Sequence, residues 1–390
     1  MYQKSFFDQT IDREGTCCEK WDQLFARVGK KVNPMWIADM DFACPNEVKD
    51  ALIKRANHQI YGYTVQSDEM IQACLDFMQR RKGITLTKEQ HGLLPCVITG
   101  VRAAISAFTS VGDGIIVQTP VYNPFYTAIE SLGRKITACP LTRQEGNRYV
   151  MDFESVEKAC EAGAKMMILC NPHNPVGRLW TEEELTKLYT ILKRHNVLLV
   201  SDEIHGDFPM IDRPVISMLQ VAEGEQEKVI SITSATKTFN LAGLHQAVFF
   251  TRNTELYSKM QEELENSGAI SGNIFALVAN EAAYKYGEEW LDAMLAYVKE
   301  GYELASDLIT RLLPKAVITP LEATYLMWVD LNAYGFTCEQ ITEKTHTQGV
   351  SFCEGAMYGS EGEGFIRINL ASPHYRIVDA IVKLQKAMLY

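Results

Sequence analysis

From residue 115 to residue 233 one pattern recurs: a short apolar run followed by a stretch with helical spacing. The segments 115–119, 135–139, Met166–Cys170, 197–201 and Val229–Thr233 read as strands, with 124–132, 152–162 and 181–195 as helices between them. Thr181 followed three residues later by Glu184 is a capping box, which marks where the third helix begins. Short strands that alternate with amphipathic helices predict an α/β fold, its largely parallel sheet covered by helices on both faces. In such sheets ligands collect beyond the carboxyl ends of the strands, so the residues just after each strand become the first candidates for a site.

The flanks fill out this plan. Pro45 opens a helix over Asn46–Asn57, and Ser67 caps another that runs to Lys82 before Gly83. The apolar run 93–99 reads as a strand that turns through Gly100, Val101 and Arg102 into a helix at 103–110. A strand, a glycine and a helix start make an anion site from free backbone N–H groups; Arg102 either adds charge there or points to solvent. After Phe250 the pattern becomes helical at Thr254–Asn266, Ile274–Tyr286 and 288–313. Strands at 324–331 and 365–370 then mix with helices at 337–348 and 375–388. The expected division is an N-terminal arm with part of a small domain (1–45), a large ligand-binding domain (46–290) and a small α+β domain (291–390).

Composition narrows the function. The formal net charge of −11 argues against nucleic acid, which needs a basic face. Ten cysteines lack CxxC spacing, and Cys96, Cys139 and Cys170 sit in apolar runs where a thiol behaves as a small hydrophobe. Cys17 and Cys18 are adjacent, a poor basis for a disulfide framework, so a reducing, cytoplasmic setting is expected. No apolar signal follows Met1-Tyr2-Gln3-Lys4, no run of about 18 apolar residues would span a membrane, and no histidine pair has metal-ligand spacing. His173 and His374 read as loop or surface residues.

Five pieces follow the strands: Gly100-Val101-Arg102, Pro120-Val121-Tyr122, 171–177 with Asn174, Ser201-Asp202-Glu203-Ile204-His205, and Ser234-Ala235-Thr236-Lys237. Lys237 at a strand mouth is a structural cation, a phosphate ligand or an amine nucleophile. The hydroxyls of Ser234 and Thr236 stand ready for a phosphate beside it. An anion cradle, an aromatic plate, an amide, a carboxylate and an amine together match what pyridoxal phosphate requires.

On these motifs the chain resembles the fold-type I pyridoxal-phosphate family, which contains the class I and II aminotransferases. Within it the chain looks most like the cystathionine β-lyase and cysteine–sulfur β-lyase branch. Trp36-Ile37-Ala38-Asp39-Met40-Asp41-Phe42, Tyr61-Gly62-Tyr63, Asp202-Glu203-Ile204-His205, Thr236-Lys237-Thr238-Phe239-Asn240 and Ile366-Arg367-Ile368-Asn369 carry that likeness. The resemblance implies that Lys237 is the Schiff-base lysine and proton carrier, that Asp202 meets the ring nitrogen and Asn174 the phenolic oxygen, and that Tyr122 stacks on the ring. It further implies phosphate binding by Gly100, Val101, Arg102 and Ser234, with Tyr61 reaching in from the second subunit of a homodimer. Arg367 would clamp the substrate carboxylate, with Ala38 and Tyr122 beside it.

Two positions depart from the aminotransferase pattern. His245 stands eight residues after Lys237, where many aminotransferases have an arginine, and His205 stands three after Asp202, where they often have a tyrosine. Both favour the lyase, which would release a thiol, pyruvate and ammonia from cystathionine or a related S-substituted cysteine. Transamination is the nearest alternative, and a regulatory binding protein that keeps the fold is the next.

Overall fold

The computed structural model describes residues 2–269 and 272–390. Its centre is a seven-stranded sheet of β1 (His91–Leu94), β2 (Gly114–Val117), β3 (Lys135–Ala138), β4 (Met166–Cys170), β5 (Leu198–Asp202), β6 (Val229–Thr233) and β7 (Ala247–Phe250). They lie in the order β1-β7-β6-β5-β4-β2-β3. The run β6-β5-β4-β2-β3 is parallel, and β7 is inserted antiparallel to both β6 and β1.

Alternate residues of each strand serve opposite cores, because side chains along a strand point to opposite faces. Met166, Ile168 and Cys170 join Val101, Ala104, Ile105, Leu256 and Met260 on one face. Met167 and Leu169 join Trp180, Leu185, Leu188 and Leu192 on the other. Every residue of β4 is therefore buried, which is why its sequence is continuously apolar.

The edge of this sheet corrects one expectation. The apolar run 93–99 is not a strand: β1 ends at Leu94, Pro95 follows, and the helix Val97–Phe108 has already begun. Proline has no N–H for a ladder, so it ends the strand where the β-branched residues beyond it would have continued. Gly100, Val101 and Arg102 accordingly lie within the helix, and the Gly100 N–H already donates to Cys96 O at 3.2 Å. Gly100 instead lets the helix lie close on the sheet. A Cβ there would come within 2.5 Å of Leu94 Cδ1 and 3.1 Å of Ile232 Cδ1. Gly100→Val should lower the stability of the folded chain by about 1–3 kcal/mol through overpacking, read as a drop in the denaturation midpoint.

A second, antiparallel sheet runs in the order Val317–Ile318, Leu326–Asp330, Phe365–Asn369, Cys353–Glu354. The helices Cys338–Gln348 and His374–Leu389 pack with it. The N-terminal segment joins this unit, since Asn33–Pro34 pairs in parallel with Val350–Ser351. The helix Glu288–Leu312 bridges the two units, and residue 291 falls inside its first turn.

Candidate active site

A cavity of about 1090 Å³ opens at the carboxyl ends of the central strands. Its wall takes Cys96, Val97 and Ile98 after β1, Tyr122 after β2, Asn174 after β4, Asp202 and His205 from β5 onward, and Thr236 and Lys237 after β6. The Trp36–Cys44 segment closes one side, and Tyr358 and Arg367 reach in from the smaller sheet. The sheet thus brings residues more than a hundred positions apart into one chamber.

Lys237 rides on the four-residue helix Ala235–Thr238, whose N-cap Ser234 accepts from Thr236 N at 3.0 Å. Its Nζ donates to the Ala38 carbonyl. Burial in the cavity wall draws the amine down to about 8, with Asp39 opposing that and Arg367 adding to it. Asp202 ends β5 almost completely buried, with Oδ1 accepting from Ile204 N at 3.1 Å. Burial pushes its carboxyl up to about 7, because no full countercharge offsets the lost hydration. Arg367 is buried in the strand Phe365–Asn369. Its Nη1 donates to Asn174 Oδ1 at 2.9 Å and its Nη2 to Trp36 O at 2.9 Å, with Tyr358 beneath the guanidinium at 5.1 Å. Tyr122 keeps 37 % of its surface exposed and meets Phe125 edge-on.

The remaining expected residues divide. His205 lines the cavity, packs against Tyr325, and leaves Nδ1 without a partner. Ala38 lines it as well. Ser234 does not: its hydroxyl is turned inward onto Gln246 O and Thr236 Oγ1, so Thr236 is the hydroxyl on the wall. Arg102 points outward and donates to Ser131 Oγ at 2.8 Å, while Val101 is in the core. The free N–H groups of this helix therefore lie three residues earlier than the expected cradle. The first N–H groups of an uncapped helix, at Val97, Ile98 and Thr99, have no intrahelical acceptor. Pro95 was the signal that would have located them.

Tyr61 is more than half exposed, and its hydroxyl donates to Ala56 O at 2.7 Å. His245 lines the cavity rim in the left-handed region at φ 52°. Of the two histidines expected in loops or at the surface, His173 lies in the loop after β4 but is buried there, and His374 opens the last helix. His173 is fully buried with Nε2 2.9 Å from Pro120 O, and His374 stacks on Tyr297 at 3.9 Å.

Comparison with known proteins agrees with this geometry. The family model described as aminotransferase class I and II matches residues 34–383. The chain belongs to the class I and II aminotransferase family. Among the family's members it is 35% identical to the cystathionine beta-lyase PatB of Bacillus subtilis (strain 168), over 98% of this chain and 99% of that protein. The solved structure of cystalysin from Treponema denticola, which contains a pyridoxal 5'-phosphate cofactor, superposes with a TM-score of 0.95 at 30% identity, covering 99% of each chain. The PLP-bound C-S lyase from Staphylococcus hominis superposes at 0.91 with 31% identity over 98% of each.

The cavity suits the cofactor that the cystalysin and C-S lyase structures hold. It offers a buried carboxylate with capacity to spare, a buried imidazole nitrogen with no partner, free helix N–H groups, an exposed aromatic face and an amine of lowered basicity. A phosphorylated, ring-protonated aldehyde matches each of these groups.

The same burial makes stability depend on pH. His91, His173 and His205 are held neutral by burial, the first two at about 4 and the third at about 3. Folded values below the unfolded value of 6.5 mean that their contribution is complete above pH 6.5 and is lost as the pH falls toward 4. Asp202 works in the other sense. Raised from 3.8 to about 7, it favours the fold most below pH 3.8 and loses that contribution as the pH rises through 7. Three histidines outweigh one carboxyl, so the melting temperature of the cofactor-free chain should fall between pH 6.5 and 4.5. A flat melting profile over that interval would show that these imidazoles charge without cost.

Proposed function

We propose that the chain is a pyridoxal-phosphate-dependent carbon–sulfur β-lyase, which converts L-cystathionine or another S-substituted cysteine to a thiol, pyruvate and ammonia. The observation that carries this reading is the meeting of Lys237, Asp202, Asn174 and Arg367 in one cavity, in a chain 35% identical to a cystathionine beta-lyase. The amides of Val97, Ile98 and Thr99 and the Thr236 hydroxyl would hold the phosphate. Tyr122 would cover the ring, Asn174 and His205 would flank its oxygen, Asp202 would meet its nitrogen and Lys237 its aldehyde carbon. When bound, this group supplies an electron sink that acidifies the Cα–H of an attached amino acid.

The chain's own side chains do the rest. Arg367 binds the substrate carboxylate through its planar fork, which fixes the Cα–H relative to the Lys237 amine. Lys237 takes that proton, since an amine brought down to about 8 has a neutral fraction near pH 7. The Ala38 carbonyl holds the amine through its N–H while the lone pair acts. Loss of the β-sulfur then follows from the negative charge left at Cα.

The enzyme would work as a homodimer in the cytoplasm. The segment around Tyr61 exposes Ile60, Tyr61, Tyr63 and Val65, an apolar surface suited to a second copy, from which Tyr61 would approach the partner's phosphate. Among the described residues no helix is long and apolar enough to cross a membrane.

The test is pyruvate release from cystathionine, cystine and S-alkyl cysteines, with and without 2-oxoglutarate. Pyruvate without the keto acid supports the lyase. Turnover that appears only with the keto acid makes the chain a transaminase.

A further inference from the structure

The segment Trp36-Ile37-Ala38-Asp39-Met40-Asp41-Phe42 turns its carbonyls toward the reacting groups. Ala38 O accepts from Lys237 Nζ and from Tyr325 OH at 3.3 Å, and Trp36 O accepts from Arg367. Such a loop sets the position of the amine only if it is itself held. Asn240 and Asn369 hold it from within the fold, donating to Met40 O, Phe42 O, Ile37 O and Asp39 O. A second grip comes from residues 13–21. Arg13 donates to Asp39 Oδ2 at 2.6 Å, to Met40 O at 3.0 Å and to Asp41 Oδ1 at 3.2 Å. Lys20, fully buried, donates to Asp39 O at 2.7 Å and to Asp41 Oδ2 at 2.8 Å. Trp21 Nε1 and Ser372 Oγ complete the shell of Asp41.

Two cations and two carboxylates form a closed, balanced group directly behind the amine's acceptor. Removing one partner from such a group leaves an uncompensated charge in a poorly hydrated place. Arg13, Asp39 and Asp41 also border the cavity, and an apolar cover would not supply the donors that Met40 O and Asp39 O receive from Arg13 and Lys20.

We infer that Arg13 and Asp39 are positioning residues for Lys237, with the Arg13–Asp39 pair locking the Ala38 carbonyl in place and setting the field at the amine. This rests on the proposed role of Lys237. The charged and titratable groups around that amine are Glu19 and Asp39 from the N-terminal segment, Asp202 and His205 from the end of β5, Tyr325 and Arg367 from the smaller sheet. Asp39 is the foremost of those that favour the protonated amine.

The test is labelling of Lys237 by 2,4,6-trinitrobenzenesulfonate in the full chain freed of cofactor, followed by peptide mass across a pH series. Loss of the Asp39 charge should move the labelling midpoint to lower pH, so that Asp39→Asn labels roughly threefold faster or more at pH 7. Loss of the Arg13 charge should move it to higher pH in Arg13→Gln, and Arg13→Lys should bring it back toward the parent. Shifts of opposite sign are a signature that a merely structural loop contact does not give. Unshifted midpoints, or shifts in the same direction, overturn the inference. Thermal melts check folding; if Arg13→Gln does not fold, Asp39→Asn and Arg13→Lys decide, the first shifted and the second close to the parent. The labelling is read without turnover, so it can fail while Lys237 remains the catalytic amine, and the reverse.

Discussion

Lys237→Ala should lose pyruvate release by about 10³-fold or more, because proton transfer at Cα has no other amine to serve it. The fold should survive the change. The short helix keeps its Ser234 cap, and the buried Ala235 and Phe239 on either side of the lysine are untouched. Lys237→Arg is the sharper variant. It keeps length and charge, but a guanidinium does not give up its proton, so it should be as inactive as the alanine form. Chemical rescue separates lost chemistry from lost structure: a small primary amine added to Lys237→Ala should restore part of the rate. Normal elimination by either variant would remove Lys237 from the reaction.

The second large effect is expected at Arg367. Its guanidinium already serves Asn174 and Trp36 O, and Nε is left without a partner. A substrate carboxylate entering here meets a cation whose direction is fixed by those two bonds and by the Tyr358 ring. Lysine at this position offers a single point charge and cannot span the same acceptors. Arg367→Lys should therefore lower kcat/KM by roughly 10²-fold, mostly through KM, because the charge stays while the two-pronged hydrogen bonding to the carboxylate is lost. Comparing an S-substituted cysteine with its decarboxylated analogue isolates the contact. The parent enzyme should discriminate strongly between them and the variant weakly. Equal discrimination by both would move carboxylate recognition elsewhere in the cavity.

Much of this site was legible in the sequence, for identifiable reasons. Met166–Cys170 and Val229–Thr233 match their strands residue for residue because both faces of the sheet are covered: every residue of both is buried, the first run being apolar throughout and the second mostly β-branched. Lys237, Asp202 and Asn174 stand out because they follow strand ends, whereas Arg367 stands out only through the resemblance carried by Ile366-Arg367-Ile368-Asn369; the fold brings all four to one cavity. The failures also have physical causes. The run 93–99 has strand-like residues on both sides of Pro95, and the N–H that proline lacks leaves no trace in the apolar pattern. Ser234 and Thr236 offer the same hydroxyl, and only the folded turn decides which one faces inward. The strand β7 went unassigned because an antiparallel return next to a functional turn lacks the helix that marked the others. The contact of Arg13 and Lys20 with Asp39 and Asp41 joins segments whose spacing carries no periodic signal.

The pairing of Asn33–Pro34 with Val350–Ser351 sets an order of assembly. All seven strands of the large sheet lie between His91 and Phe250, so Lys237 and Asp202 can be in place while the last third of the polypeptide is still being made. The loop that carries Ala38 cannot settle then. Its carbonyls wait for Asn369, its carboxylate for Ser372, and its strand for residue 350. The loop that backs the amine can therefore close only once residues 350–372 have been made, so this wall of the chamber is completed by the two ends of the polypeptide together.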